Sequence, residues 1–205
     1  MTKVISKATL NDSDAKWIKL KKITWQDPNG KERLWECAER TTRKGDCDAV
    51  AIFSVLTKKS DPNYKPETIL VTQYRPPVES FCVELPAGLV DEGESCEEAA
   101  LRELNEETGY IGKVIKSSKI MVNDPGMTNA NMRNVTVEVD LDNANNKKVE
   151  PNLQEGEFIE LHLVEIDTLL STLNEFSEKG ISVDSRLYNL AEGINYARNF
   201  NTSIS

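Results

Sequence analysis

Three glutamates, Glu103, Glu106 and Glu107, lie within five residues of a predicted helix and could bind a metal ion. At about 100° per residue, they share one arc of the helix surface. Like charges three or four residues apart repel by roughly 0.2–0.5 kcal/mol per pair. A divalent cation such as Mg²⁺, which prefers hard oxygen ligands, would relieve that repulsion. The other interpretation is a solvated acidic face, and on glutamate spacing alone it is the more common one.

The predicted helix has recognisable ends. Ser95 followed by Glu98 three residues later is the capping-box pattern, and Gly109 fits the position just after the helix. Arg102 lies four residues from both Glu98 and Glu106, so it can pair with either. The side that would pack on a sheet is formed by Ala100, Leu101 and Leu104.

Apolar periodicity and turn signals predict the other elements. Strands are predicted over residues 16–25, 33–39, 48–57, 68–74, 81–85, 113–122, 133–141 and 158–166. The first two form a half-buried hairpin around the turn at Asp27–Gly30. Two helices are predicted near 167–178 and 184–199, with Asp167 and Asp184 as possible N-caps. Strands and helices mix without regular alternation, which predicts an α+β fold or a mixed-sheet α/β/α sandwich.

Composition excludes several classes of protein. The chain has 205 residues and a net charge of −9, so a nucleic acid is not an expected partner. No apolar run is long enough to cross a membrane, and the N-terminus lacks the apolar core of a signal peptide. Four scattered cysteines indicate structural thiols in a reducing compartment, with the cytoplasm as the expected location. A single histidine, His162, excludes a Ser-His-Asp triad and a His-rich zinc site.

The spacing around the acidic helix resembles the Nudix box, G-x5-E-x7-R-E-U-x-E-E-x-G-U, in which U is a bulky apolar residue. Gly88, Glu94, Arg102-Glu103-Leu104, Glu106-Glu107 and Gly109-Tyr110 match every fixed position. The resemblance implies a Nudix fold and hydrolysis of a diphosphate with Mg²⁺, Mn²⁺ being a possible substitute. It also implies that Glu103, Glu107 and the Ala87 carbonyl are metal ligands and that Glu106 and Arg102 assist them.

Residues outside the box resemble the eukaryotic ADP-ribose (ADP-sugar) pyrophosphatases. The box is preceded by Gln73-Tyr74-Arg75-Pro76-Pro77, and Pro125 lies 15 residues beyond Tyr110. The resemblance implies ADP-ribose as substrate, with AMP and ribose 5-phosphate as products. Arg75, the Leu89 backbone and Asp124 would contact the substrate. Other ADP-sugars, dinucleotides and oxidised nucleoside diphosphates remain alternative substrates, and a module that senses ADP-ribose without cleaving it is a further alternative.

Two tryptophans on the predicted hairpin, Trp17 and Trp35, extend the resemblance. Taken alone they would be read as core residues, because tryptophan is highly buried on average. The segment around Trp35 resembles the adenine-binding segment of this family, in which two subunits each supply one tryptophan. The resemblance therefore implies a homodimer, with Glu36 and Arg40 as polar contacts. Residues 1–43 would form a dimerisation and adenine-binding arm, and residues 44–205 the catalytic domain.

Trp25 has no counterpart in this resemblance and is expected to pack. Glu157 lies in the polar stretch Gln154-Glu155-Gly156-Glu157. On sequence alone it would be a solvated loop acid. The resemblance implies instead a further metal ligand or the general base, which must reach the water that it activates.

Overall fold

The computed structural model describes residues 2–202. The hairpin of β1 (Ile18–Gln26) and β2 (Glu32–Arg40) forms a two-stranded antiparallel sheet of its own. The remaining strands belong to one mixed sheet: β3 (Ala49–Thr57), β4 (Glu67–Arg75), β5 (Ser80–Glu84), β6 (Ala87–Leu89), β7 (Lys113–Ser117), β8 (Met121–Val122), β9 (Asn131–Asp140), β10 (Glu160–Glu165) and β11 (Ser182–Val183). The helices are α1 (Cys96–Thr108), α2 (Leu169–Glu178) and α3 (Ser185–Thr202).

The mixed sheet has the order β11-β5-β4-β3-β9-β7, with β6, β8 and β10 pairing on β3, β9 and β4. Parallel pairing of β3 with β9 and of β11 with β5 makes the sheet mixed. Successive strand residues face opposite sides, so Val50 and Ala51 enter two different cores. The first core holds α1 and the second holds α2 and α3, which confirms the α/β/α sandwich.

Several element boundaries differ from the sequence prediction. The strand predicted over 113–122 is instead two short strands, β7 and β8, which both pair with β9, and a bulge between Val114 and Lys116 shifts the register within β7. Asp184 caps α3 as predicted, since its Oδ1 accepts from the Arg186 amide at 2.8 Å. The Asp167 cap is wrong, because Asp167 lies in a 3₁₀ turn before α2 and pairs with Arg198 at 2.9 Å.

The hairpin also differs from its prediction as a half-buried element. Every residue of β1 is exposed, because no layer of the same chain covers it. Trp25, expected to pack, is likewise exposed. Among residues 2–202, no helix is both long and apolar enough to span a bilayer.

Candidate active site

Helix α1 holds the acidic residues in fixed positions because both of its ends are fixed. The Glu98 amide donates to the Ser95 hydroxyl at 3.2 Å, and the Ser95 amide donates to the Glu98 carboxylate at 2.9 Å. Gly109 ends the helix at φ 74°, a conformation that glycine adopts without strain, and its amide donates to the Asn105 carbonyl. The predicted helix limits are therefore confirmed.

Arg102 is the cation at the centre of the acidic helix face. Its Nε and Nη2 donate to the two oxygens of Glu94, each at 2.9 Å, and its Nη1 donates to Glu103 at 2.7 Å and to Glu106 at 3.3 Å. Of the two partners expected from spacing, Glu106 is found and Glu98 is replaced by Glu94, because Glu98 is engaged at the helix cap. These contacts raise the pKa of Arg102 and make it a positioning residue for the acids around it.

The carboxylates of Glu103 and Glu107 point at the backbone of β6. A methyl group added at Gly88 would lie 1.9 Å from the Glu103 carboxyl carbon, so only glycine leaves room for this approach. Glu107 accepts a hydrogen bond from the Ala87 amide at 3.1 Å. The structure thus brings Ala87, Glu103 and Glu107 together as the sequence predicts.

Burial shapes the electrostatics of this pair. Burial, together with the smaller effects of the charges on Glu103 and Glu157, raises the pKa of Glu107 to about 8, against the opposing hydrogen bond from Ala87. Burial also raises the pKa of Glu103, although Arg102 opposes the effect. Negative charge held in this position favours binding of a proton or a cation.

The donor set fits a hard divalent cation. Carboxylate and backbone oxygens are the ligands that Mg²⁺ uses in proteins, usually with retained waters and substrate phosphates. Within the described part of the chain, no three acidic, histidine or cysteine side chains already lie in ligating positions together. Two inward-facing acids beside a strand backbone are compatible with a metal whose shell is completed by water and substrate.

A cleft of about 240 Å³ lies beside β6 and is called here the arginine cleft. It is lined by Arg40, Asp48, Ala49, Arg75, Ala87, Gly88, Leu89, Asn123, Asn131, Met132 and Arg186. Arg75 is held by Glu84 through a 2.6 Å ion pair, which fixes its guanidinium at the cleft wall. The structure therefore places Arg40, Arg75 and Leu89 in one cavity, next to the acids of α1.

Two polar features of the cleft were not predicted from the sequence. Arg186 reaches it from the start of α3 and forms a 2.5 Å ion pair with Asp184. Asp48 is buried and forms two hydrogen bonds with Arg43, at 2.8 and 2.5 Å. The Asp48 carboxylate also accepts from the Asn131 amide at 2.9 Å. The contact between Asp48 and Asn131 joins distant parts of the chain, and the local signal for Arg186 was the capping position of Asp184.

The hairpin meets the rest of the chain at the Asp124–Thr128 loop. The Trp35 indole donates to the Gly126 carbonyl at 3.0 Å, and the Ala38 amide donates to the Met127 carbonyl at 2.8 Å. The Asp124 carbonyl accepts from the Thr128 amide at 2.9 Å, which closes the loop. The structure thus joins the predicted Trp35 and Asp124 segments, with the Asp124 side chain exposed.

The two predicted adenine-binding tryptophans are far apart within one chain. Trp35 pairs in register with Ile23, and Trp17 lies six residues before Ile23. At about 3.3 Å per residue the separation is about 20 Å, too far for both indoles to stack on one base. Trp17 is 69% exposed and Trp35 is 45% exposed, so neither is a core residue of the isolated chain.

Glu36 and Arg40 lie on the opposite face of β2 from Trp35, because strand side chains alternate. Both are exposed, and Arg40 extends into the arginine cleft. The predicted adenine-segment residues therefore divide into a tryptophan face and a charged face of the hairpin.

Glu157 lies on an exposed loop close enough to influence the acidic site. Its Oε2 accepts from the Gln154 amide at 2.9 Å, while its charge contributes to raising the pKa of both Glu103 and Glu107. The loop is attached to α1 through the Asn152 amide, which donates to the Glu106 carbonyl at 2.7 Å.

A family model described as the NUDIX domain matches residues 47–182. The chain therefore belongs to the NUDIX domain family, and it is a Nudix hydrolase. The match covers the mixed sheet and α1 and begins after the hairpin.

Relatives of known name extend over nearly the whole chain. An uncharacterized Nudix hydrolase of Schizosaccharomyces pombe is 45% identical, over 94% of this chain and 92% of its own. The ADP-ribose pyrophosphatase of Saccharomyces cerevisiae is 47% identical, over 92% and 81%. The ADP-sugar pyrophosphatase of Mus musculus is 43% identical, over 86% and 80%. A crystal structure of an ADP compounds hydrolase shares the fold, with a TM-score of 0.56, 20% identity and coverage of 90% and 89%.

Replacing Gly88 with alanine tests the close approach of Glu103. The added methyl group would displace the Glu103 carboxylate, which is the flexible end of its side chain, so we expect a folded protein with at least tenfold lower kcat. Gly45→Ala is the matched control, since a methyl group added there would have nothing within 4 Å of it. Diphosphate hydrolysis and thermal unfolding are measured for both. Unchanged kcat in Gly88→Ala would contradict the assignment.

The raised pKa of Glu107 predicts a specific pH dependence of stability. Between its ordinary value of 4.5 and about 8, the unfolded chain has released the Glu107 proton while the folded chain retains it. The free energy of unfolding of the metal-free protein should therefore fall as pH rises through this window. Glu107→Gln should flatten that fall and lose most activity. Urea unfolding with a chelator, from pH 5 to pH 9, measures the difference. Identical slopes in wild type and Glu107→Gln would refute the prediction.

Proposed function

We propose that this Nudix hydrolase cleaves the diphosphate bond of ADP-ribose to give AMP and ribose 5-phosphate, and that it accepts other ADP-sugars. The observation that carries the proposal is the acid pair of α1, of which Glu107 is buried, beside a cleft lined by three arginines. The acids of α1 suit a divalent cation, and the arginines of the cleft suit the charged oxygens of a diphosphate. Relatives named ADP-ribose and ADP-sugar pyrophosphatase support the ADP portion of the substrate.

The acids of α1 and the arginines of the cleft have separate roles in this proposal. Glu103, Glu107 and the Ala87 carbonyl would hold Mg²⁺, with Glu157 as a further ligand from its loop. When bound, the metal would lower the pKa of a coordinated water and neutralise charge on the phosphoryl oxygens. Arg75 binds the diphosphate, because its pairing with Glu84 holds the guanidinium in position before substrate arrives. Arg102 keeps Glu103 and Glu106 oriented.

Proton transfer from the attacking water requires a base outside the Arg102 network. Glu157 meets that requirement, since its carboxylate is exposed and its loop lies beside the acidic site. We assign it the role of base or final metal ligand. Leu89 presents its backbone, and Asp124 its side chain, to the sugar portion of the substrate.

The adenine ring is bound between Trp17 of one protomer and Trp35 of its partner in a homodimer. Support comes from the distance of roughly 20 Å along the hairpin between the positions of the two tryptophans within one chain. Exposed apolar residues on the hairpin, including Leu20 and Leu34, would be covered by the partner. The hairpin thus serves both dimerisation and base stacking, and residues 44–205 carry the chemistry. Glu36 and Arg40 supply polar contacts.

Two alternatives to this function each differ from it in one respect, which is the substrate class in one case and the absence of turnover in the other. Aromatic stacking selects a flat base without reading its edge, so oxidised nucleoside diphosphates are a second substrate class. A sensor without turnover would not need Arg102, Glu106 and Glu107 together.

The four cysteines are buried and free, and we propose a reducing compartment, the cytoplasm.

Hydrolysis of ADP-ribose in ¹⁸O-labelled water tests the proposed function. Purified protein with Mg²⁺ should yield AMP and ribose 5-phosphate, with label in one of the two phosphates, as resolved by mass spectrometry. Glu103→Gln is the matched control and should lose about 100-fold in kcat or more. Binding of ADP-ribose without products from wild type would favour the sensor. Faster turnover of an oxidised nucleoside diphosphate, compared by kcat/KM, would favour the second substrate class.

Mixing two tryptophan variants tests the shared adenine site. Trp17→Ala and Trp35→Ala should each raise KM about tenfold or more, because a stacked base contributes about 1–3 kcal/mol. If each site draws one tryptophan from each protomer, mixed dimers contain one site with both indoles intact. Equal mixing after dissociation should then restore about a quarter of the sites, since half of the dimers are mixed. Titration of activity at low substrate measures the recovery, and its absence would exclude a site shared in this way.

A further inference from the structure

Arg186 is a cleft residue that the Nudix box does not contain. It is the second residue of α3, and it lines the arginine cleft together with Arg75. The same two arginines, with their acidic partners Glu84 and Asp184, line a small cavity of about 30 Å³ next to the cleft. Two acid-anchored arginines therefore line the same two cavities.

The fold holds Arg186 in place from two directions. Its Nε donates to the Asp184 Oδ1 at 2.9 Å. Asp184 is itself held in place because its backbone amide donates a hydrogen bond to the Val83 carbonyl at 3.1 Å. Asp184 also accepts the amides of Arg186 and Leu187 as the cap of α3. A guanidinium held in this way loses little conformational freedom when it binds an anion.

One edge of the guanidinium has a poor partner. Its Nη1 donates to the Met132 Sδ at 2.8 Å, and a thioether sulfur is a weak acceptor. Charge-assisted bonds to phosphate oxygens are roughly twice as strong as neutral ones. The Arg186 side chain is 45% exposed, so an anion in the cleft can reach this edge.

We propose that Arg186 is a substrate-binding residue that donates to the diphosphate oxygens of the bound nucleotide alongside Arg75. This inference rests on the proposed function for its substrate class, a nucleoside diphosphate derivative. Arg75 and Arg186 bind the diphosphate from the lining of the arginine cleft, and Asp184 positions Arg186 through the α3 cap. The C-terminal helix therefore contributes directly to substrate recognition.

The test compares ligands with and without the diphosphate. Arg186→Gln should weaken ADP binding about tenfold, as expected for a charged hydrogen bond, while adenosine binding changes less than twofold. Arg186→Lys, which keeps the charge but not the fork, should recover part of the ADP affinity. Lys113→Gln removes a positive charge from the opposite edge of the sheet and is the matched control. Calorimetry gives the affinities, and thermal unfolding checks that each variant is folded.

The outcomes separate this inference from the proposed function. Equal losses for ADP and adenosine would assign Arg186 a structural role and overturn the proposal, as would unchanged ADP affinity. Selective loss of ADP affinity, together with a raised KM for ADP-ribose and partial rescue by lysine, supports it. If wild type fails to hydrolyse ADP-ribose, the proposed function falls, yet the ADP and adenosine comparison still decides the role of Arg186.

Discussion

The burial of Glu107, with Glu103 and Glu106 close to it on the same helix, is the constraint on which the rest of the site depends. Water would ordinarily solvate these charges, and their repulsion opposes helix formation. Only part of that cost is offset within the chain, by Arg102 and by the amide of Ala87. The capping box, the left-handed Gly109 and the missing side chain at Gly88 all serve to keep the acids where a cation can complete the compensation.

The arginines of the cleft beside these acids present the reverse problem, which is how flexible cations are held in place. Cationic side chains are long and flexible, and holding them for a small anion costs conformational entropy. Here, a nearby acid fixes Arg75 through Glu84 and Arg186 through Asp184. Glu84 is the last residue of β5 and Asp184 directly follows β11, which pairs with β5 at the edge of the sheet. Sheet topology thus positions the arginines of the cleft, whereas local helix geometry positions the acids of α1.

This difference explains what could be predicted from sequence. The acidic helix was readable to within a residue because its signals are periodic and lie within about 20 positions of one another. The cleft position of Arg186 and the Asp48–Asn131 contact were missed because Arg186 meets Arg75, and Asp48 meets Asn131, only through sheet pairing. The exposure of β1 was also mispredicted, since alternation reports a face that will be covered without saying by what. Short strands such as β6 and β11 carry too few residues to show a period.

The loop that carries Glu157 has a consequence for local concentration. Asn152 is fixed to the Glu106 carbonyl and β10 begins at Glu160, so Glu157 is tethered at both ends. Five residues separate it from the Asn152 anchor, a span of at most about 17 Å when fully extended. A group on so short a tether has an effective molarity in the millimolar range or above. Free carboxylates at lower concentrations in solution could therefore not compete with the tethered carboxylate of Glu157.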